Sequence, residues 1–275
     1  DHAVFDGDQI VAARWDSVVR LAADGTAVWQ RTLTDRIALR VAVAGGAVYV
    51  AGSRAETAGD PDGPRDAWLA RVDAGGDIVW ERSDGAPGSS DAVGGLAALA
   101  DGRVAIAAEV RLHPDYTGTV TRLYDPDGAL LWQVDYASSS AFANYPEDLA
   151  VGAGGNLLVL SVSPRLSDAP WEADNDDRVI TSLSPAGQIR WRKVKSGFTI
   201  FNRGLLVHRV TSDDRYVYVT GGPTTDIYEL DDGRAVTRLD DDTYENNYVA
   251  PGAAGEVYFA TTDLHDVIVE RYERP

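Results

Sequence analysis

Carboxylates are the side chains in this sequence best placed to do chemistry, and their spacing points first to cation binding. Asp60, Asp62 and Asp66 fall in the run DPDGPRD, and Asp174, Asn175, Asp176 and Asp177 make a second dense group. Calcium takes about six to eight oxygens from carboxylates and carbonyls. These runs are therefore the candidate calcium loops, with Asp60, Asp62, Asp66, Asp174 and Asp176 as ligands, although neither completes an EF-hand pattern. Asp91 and Glu147 are the carboxylates that could pair for acid–base work on a glycoside. The four histidines, His2, His113, His208 and His265, lack His-x-His or His-Glu-x-x-His spacing, so no catalytic zinc centre is expected. Cysteine is absent, which removes disulfides and thiolate metal sites. Neither a Gly-x-Ser-x-Gly elbow nor a glycine-rich phosphate loop is present. No residue is assigned a catalytic role, and the chain reads as a binder before it reads as an enzyme.

Aromatic side chains add to that reading. Tyr116, Tyr145 and Trp171 stand in irregular, acidic stretches, and Trp171 follows Pro170 in mid-loop. Arg203 and Asn247 close two further long connections. With Asp91 and Glu147, these five residues form the candidate ligand-binding set. Rings within a polar rim suit a protein or a glycan. The formal net charge of −18, from 43 acidic against 25 basic residues, argues against nucleic acid, which needs a basic footprint. Acidic membranes are disfavoured for the same reason, and no apolar run approaches the ~18 residues of a membrane span. A chain without cysteine or methionine, this acidic and not opening on methionine, is expected to be exported. The expected location is extracellular, at the cell surface or periplasmic.

The elements that must carry these residues come from an internal repeat. Val18–Gln30 (VVRLAADGTAVWQ), Trp68–Glu81, Val120–Gln133 and Ile180–Arg192 are copies of one hairpin. Their tryptophans, Trp29, Trp80, Trp132 and Trp191, lie 51, 52 and 59 residues apart. A fifth copy has Thr237 in place of tryptophan. Each copy joins two short alternating runs through a Gly-containing acidic turn, the signature of a hairpin. A second hairpin precedes every copy, as in RVAVAGGAVYVAGS (Arg40–Ser53). Two hairpins per ~50 residues make the four-stranded unit of a β-propeller. The predicted fold is an all-β propeller of six blades, at about 1–34, 35–85, 86–137, 138–197, 198–241 and 242–275. The last blade is one strand short, and 1–275 is read as one domain. The repeated tryptophans are expected to wedge between blades as core.

With strands A to D in each blade, the A–B and C–D turns are short and glycine-rich. The B–C and D–A connections are long and variable, and all the candidate site residues lie on them or at their ends. Long loops raised on a rigid scaffold are where binding residues collect, so this face is the expected binding surface.

The phrase Leu-x-x-Asp-Gly-x-x-x-Trp, clearest at Leu21–Trp29 and Leu123–Trp132, resembles the tryptophan-docking repeat of quinoprotein (pyrroloquinoline quinone-like) propellers. It is also similar to the repeat of secreted bacterial lipoprotein propellers, some of which are assembly scaffolds. The enzymes of that group imply eight blades, a quinone with calcium and a neighbouring cysteine pair. This chain lacks the cysteines and the length, so the resemblance implies the non-enzymatic branch, with quinone not expected. The competing reading is a quinoprotein-like or carbohydrate-active enzyme using acidic residues at the channel mouth.

Overall fold

The computed structural model describes residues 2–60, 62–85, 87–137, 143–164, 176–198, 209–221, 224–240, 247–252, 256–262 and 267–273. They form antiparallel sheets, and the chain divides into two compact units, Asp1–Pro146 and Glu147–Pro275.

The first unit holds three four-stranded blades. Blade 1 consists of β1 (His2–Asp6), β2 (Gln9–Arg14), β3 (Ser17–Leu21) and β4 (Ala27–Thr32). Blade 2 has β5 (Arg36–Ala44), β6 (Ala47–Ala55), β7 (Arg65–Val72) and β8 (Ile78–Asp84). Blade 3 has β9 (Ala92–Ala98), β10 (Val104–His113), β11 (Tyr116–Tyr124) and β12 (Leu130–Tyr136).

The second unit begins within β13 (Tyr145–Val151), which with β14 (Leu157–Pro164), β15 (Asp176–Leu183) and β16 (Ile189–Phe198) makes blade 4. Blade 5 is β17 (Arg209–Ser212), β18 (Tyr216–Gly221), β19 (Thr224–Glu229) and β20 (Ala235–Asp240). Blade 6 has three described strands, β21 (Asn247–Pro251), β22 (Glu256–Thr262) and β23 (Val267–Glu273). Five four-stranded blades and a three-stranded last blade match the expected architecture.

Strand order within each blade follows the chain, because every connection is a hairpin between neighbours. The second strand of a blade is paired on both edges and covered on both faces, which its composition anticipates. In β6, Val48 pairs with Val43 on one side and Val72 on the other, and Ala47–Ser53 are all buried. Cores form between consecutive blades. Val11, Ala13 and Val18 of blade 1 pack with Val48, Val50, Trp68 and Ala70 of blade 2. Tyr49, Ala51 and Leu69 of blade 2 face Val104, Ile106 and Val120 of blade 3. In the second unit, Leu158, Leu160 and Ile180 meet Val217, Val219 and Tyr228. Tyr216, Tyr218 and Ile227 meet Val257. Each buried Val, Leu or Ile among these contributes roughly 1.5–3 kcal/mol.

Trp191 is buried within the core of its junction and Trp29 and Trp80 pack against theirs, and each of these three lies on the C–D turn of the next blade in its unit. A Cβ added to Gly128 would fall 2.8 Å from Trp80 Cδ2, and one on Gly233 would fall 2.7 Å from Trp191 Cδ2. Both glycines have positive φ, 80° and 68°, so the turn needs glycine for its backbone as well as for the space. The indole then bonds the same turn: Trp80 Nε1 donates to the Pro126 carbonyl and Trp191 Nε1 to that of Leu230, both at 2.9 Å. Two residues after the tryptophan, Arg31 and Arg82 donate to the carbonyls of Gly76 and Gly128, each at 2.7 Å. Trp29 stacks on Gly76 in the same way.

Four residues after the tryptophan, the junctions become chemically distinct. Asp84 follows Trp80 and pairs at 2.9 Å with Arg122 on the third strand of blade 3. Lys195 follows Trp191 and pairs at 2.9 Å with Asp226 on the third strand of blade 5. Arg122 and Asp226 occupy equivalent places, opposite Ile106 and Val219, two residues beyond Val104 and Val217. The polarity of the pair is thus reversed between the two junctions. At the blade 1–2 junction Leu33 and Ala70, both buried, belong to a shared apolar cluster.

Candidate functional site

In the first unit, the connection between β8 and β9 is folded back onto β7. Arg65 N donates to the Ser89 carbonyl at 3.1 Å, and Asp91 N donates to the Arg65 carbonyl at 2.7 Å. This staple sends Asp91 inward, where it is only 1% exposed. Its carboxylate accepts from Ser89 Oγ at 2.9 Å and from Arg111 N at 3.2 Å. Asp66 approaches from β7. A Cβ on Gly85 would lie 2.4 Å from Asp91 Oδ2 and 2.6 Å from Asp66 Oδ1, so the bare glycine lets the two carboxylates converge.

The electrostatics follow from that convergence. Burial, then Glu56, then Asp91 and Asp84 push the Asp66 carboxyl above its ordinary range, against a bond from Ser83. Glu109 on β10 is also raised, first by burial and then by Asp91, while Thr117 Oγ1 donates to it at 2.8 Å. The blade 2–3 junction thus holds an acidic group in which the Asp66 and Glu109 carboxyls are harder to ionise than usual.

Two predicted residues from different sets, Asp66 and Asp91, are therefore neighbours. Asp60 and Asp62 are exposed and shape their own loop, with Asp62 N donating to Asp60 Oδ1 at 3.2 Å. Among the described residues, no three His, Asp or Glu side chains stand together as a metal-holding group. Asp174 lies outside the described residues, and Asp176 is described only as backbone in β15, opposite Pro164.

Tyr116 begins β11 at the blade 3 B–C turn, 36% exposed, with its ring stacked on His113 at 5.0 Å. Tyr145 is half-buried at the start of β13. Its neighbour Asn144 is fully buried, donates to the Thr117 carbonyl and accepts from Thr119 Oγ1, both at 3.2 Å. Those bonds bring the Tyr145 backbone to the strand that Tyr116 opens. Glu147 lies half-buried on β13 in the second unit. Asn247 opens β21 opposite Thr261, and Trp171 and Arg203 lie outside the described residues.

The sequence reading passed over Trp15. It is 63% exposed in the two-residue turn between β2 and β3 and has a φ of 35°. The available signal was R-W-D-S between two alternating runs, a span too short for any turn but a tight one. A charged cluster in the second unit was also passed over. Asp226 receives Arg178, Lys195 and Arg238, and the Arg178 side chain is fully buried. Burial alone would raise the Asp226 carboxyl, but the three cations hold it below its ordinary value.

No family profile matches the chain, and no curated protein matches it in sequence. Solved structures do. A Bacteroides caccae protein of unknown function aligns with a TM-score of 0.56 at 14% identity, over 92% of this chain and 82% of its own. The propeller of Dos1 aligns with a TM-score of 0.56 at 12% identity, over 96% of this chain and 68% of its own. At such identities the likeness is one of fold, and together with the blade-by-blade sheets it makes this chain a β-propeller.

Proposed function

We propose that this chain is a non-catalytic, exported binding propeller that engages a protein partner through its long-loop face. The observation that carries the reading is the difference between the two faces of the first unit. On the short-turn face Trp29 and Trp80 close the C–D turns of blades 2 and 3, Asp24, Asp73 and Asp125 bond within all three turns, and Phe5 stands exposed beside the A–B turn of blade 1. The opposite side presents the stacked His113–Tyr116 pair, Trp15 and the exposed carboxylates Asp16, Glu56, Asp60, Asp62 and Asp115. Aromatic anchors within a charged rim are the composition of a protein-binding surface. The Leu-x-x-Asp-Gly repeat supports the non-enzymatic, quinoprotein-like branch, and the Cys- and Met-free composition supports export.

A hydrolytic reading of the acidic group is disfavoured. Asp91, at 1% exposure, is engaged by Ser89 and Arg111, whereas a glycosidase pair must reach the sugar. Calcium is a secondary part of the proposal, at the exposed loop carrying Asp60 and Asp62. Melting with and without chelator tests it, and an unchanged midpoint removes it.

The test of the main reading is site-specific photo-crosslinking in the cells that make the protein. A photoreactive side chain at Tyr116 is expected to yield discrete protein adducts, whereas one at Thr26, on the short-turn face, yields none. Equal labelling from both positions would overturn the proposal.

A further inference from the structure

We infer that Trp15 is a docking post for an arginine or lysine side chain of a basic protein segment, an inference that rests on the long-loop-face reading above. The argument begins with the turn. Arg14 pairs with Ser17, which leaves Trp15 and Asp16 as a two-residue hairpin loop. Of the two, only Trp15 has a positive φ, 35°, and that first position is where such hairpins ordinarily place glycine. A bulky side chain there is a genuine outlier. Backbone outliers of this kind persist where their surroundings fix them, and they cluster at ligand clamps.

The surroundings do fix the backbone. Ala38 N donates to the Trp15 carbonyl and Leu33 N to the Asp16 carbonyl, both at 2.6 Å. The ring itself is left out of the packing, at 63% exposure, so burial does not offset the strain. The turn is held rigidly and the indole is presented to solvent.

Charge then selects the occupant. The exposed Arg14 and Asp16 flank Trp15 in the chain, and Asp35, whose carboxylate accepts from Gly59 N, lies on the segment bridged to Trp15 through Ala38. The flanking charges offset each other, and the electron-rich indole face favours a cation over an anion. The same chain already uses this chemistry internally. Arg36 lies over Trp68 at 5.7 Å while Glu81 accepts from both, and Arg82 lies over Trp80 at 5.5 Å. Among the described residues no cation lies over Trp15, which offers the ring and the acid of that arrangement to a partner. A net charge of −18 adds long-range attraction for a basic segment.

The test uses the full chain and two labelled peptides, Gly-Arg-Gly-Arg-Gly and its neutral citrulline twin, at about 0.1 M salt to limit unspecific attraction. The wild type is expected to bind the arginine peptide at least about threefold more tightly than the twin. Trp15→Ala and Trp15→Gly should abolish that preference, and Trp15→Phe should keep part of it. None of these substitutions alters net charge, so a loss reads the ring alone. Trp15→Gly should also unfold at a higher temperature than Trp15→Ala, because glycine relieves the strained φ; this shows that lost binding is not lost fold. Unchanged arginine preference in Trp15→Ala overturns the inference, as does Trp15-dependent binding of cellohexaose without binding of the peptide. If crosslinking at Tyr116 persists in either case, the long-loop-face reading stands and only the role of Trp15 falls. If crosslinking is equal on both faces, the broader reading falls first.

Discussion

At the scale of single residues, the glycines under the tryptophans and the half-buried acid Glu109 make the clearest demands. Gly233→Ala would place a methyl 2.7 Å from Trp191 Cδ2 in a turn whose φ is 68°. The expected cost is about 1–3 kcal/mol, read as a lower urea midpoint, with Gly154→Ala as a control for positive φ without an indole beneath it. Glu109 has its folded pKa raised, so its contribution is complete below the unfolded value near ~4.3 and is lost as pH rises through the folded value. Glu109→Gln keeps an oxygen for Thr117 and removes the charge. That variant should be more stable than wild type at pH 7 and indistinguishable from it at low pH. A Glu109→Gln protein no more stable than wild type at pH 7 would show that the acid is comfortable where it lies.

Elements were the scale most legible in the sequence, for a physical reason. Hairpins are local: alternation sets the strands, and Asp-Gly turns set the register within a few residues, as at Leu21–Trp29 and Leu123–Trp132. What each tryptophan rests on was not legible, because Trp80 and Gly128 are brought together only by the stacking of one blade on the next. The convergence of Asp66 on Asp91 was hidden likewise, since it depends on a loop folding back over β7. Trp15 was missed because tryptophan is not a turn residue by propensity, and only the pairing of Arg14 with Ser17 reveals the strain. Once the register is known, Asp84–Arg122 and Lys195–Asp226 read as one position with opposite polarity. Such reversal penalises docking of blade 2 onto blade 5 or of blade 4 onto blade 3, because like charges would meet. Asp226 also anchors its junction. Its folded pKa is lowered, so its stabilisation is present above ~3.9 and is lost as pH falls through the folded value. Asp226→Asn would remove the carboxylate shared by Arg178, Lys195 and Arg238, for a loss of about 3–5 kcal/mol at neutral pH. A loss below ~1 kcal/mol in urea unfolding would show that Arg178 has other sufficient partners.

In the first unit, tryptophans dock on the short C–D turns, and the opposite ends of the strands carry the open aromatics and carboxylates proposed to bind. Acidic charge and open aromatics on the long-loop side of the first unit predict a basic partner whose association slows as salt rises. The most direct measurement is hydrogen exchange on the protein with its crosslinked partner bound, compared peptide by peptide with the free chain. Slowed exchange is expected in 14–17, 56–66 and 111–117, with the short turns at 22–26, 73–77 and 125–129 unchanged. Protection concentrated on those short turns, with the long-loop segments exchanging as in the free chain, would contradict the proposed binding face.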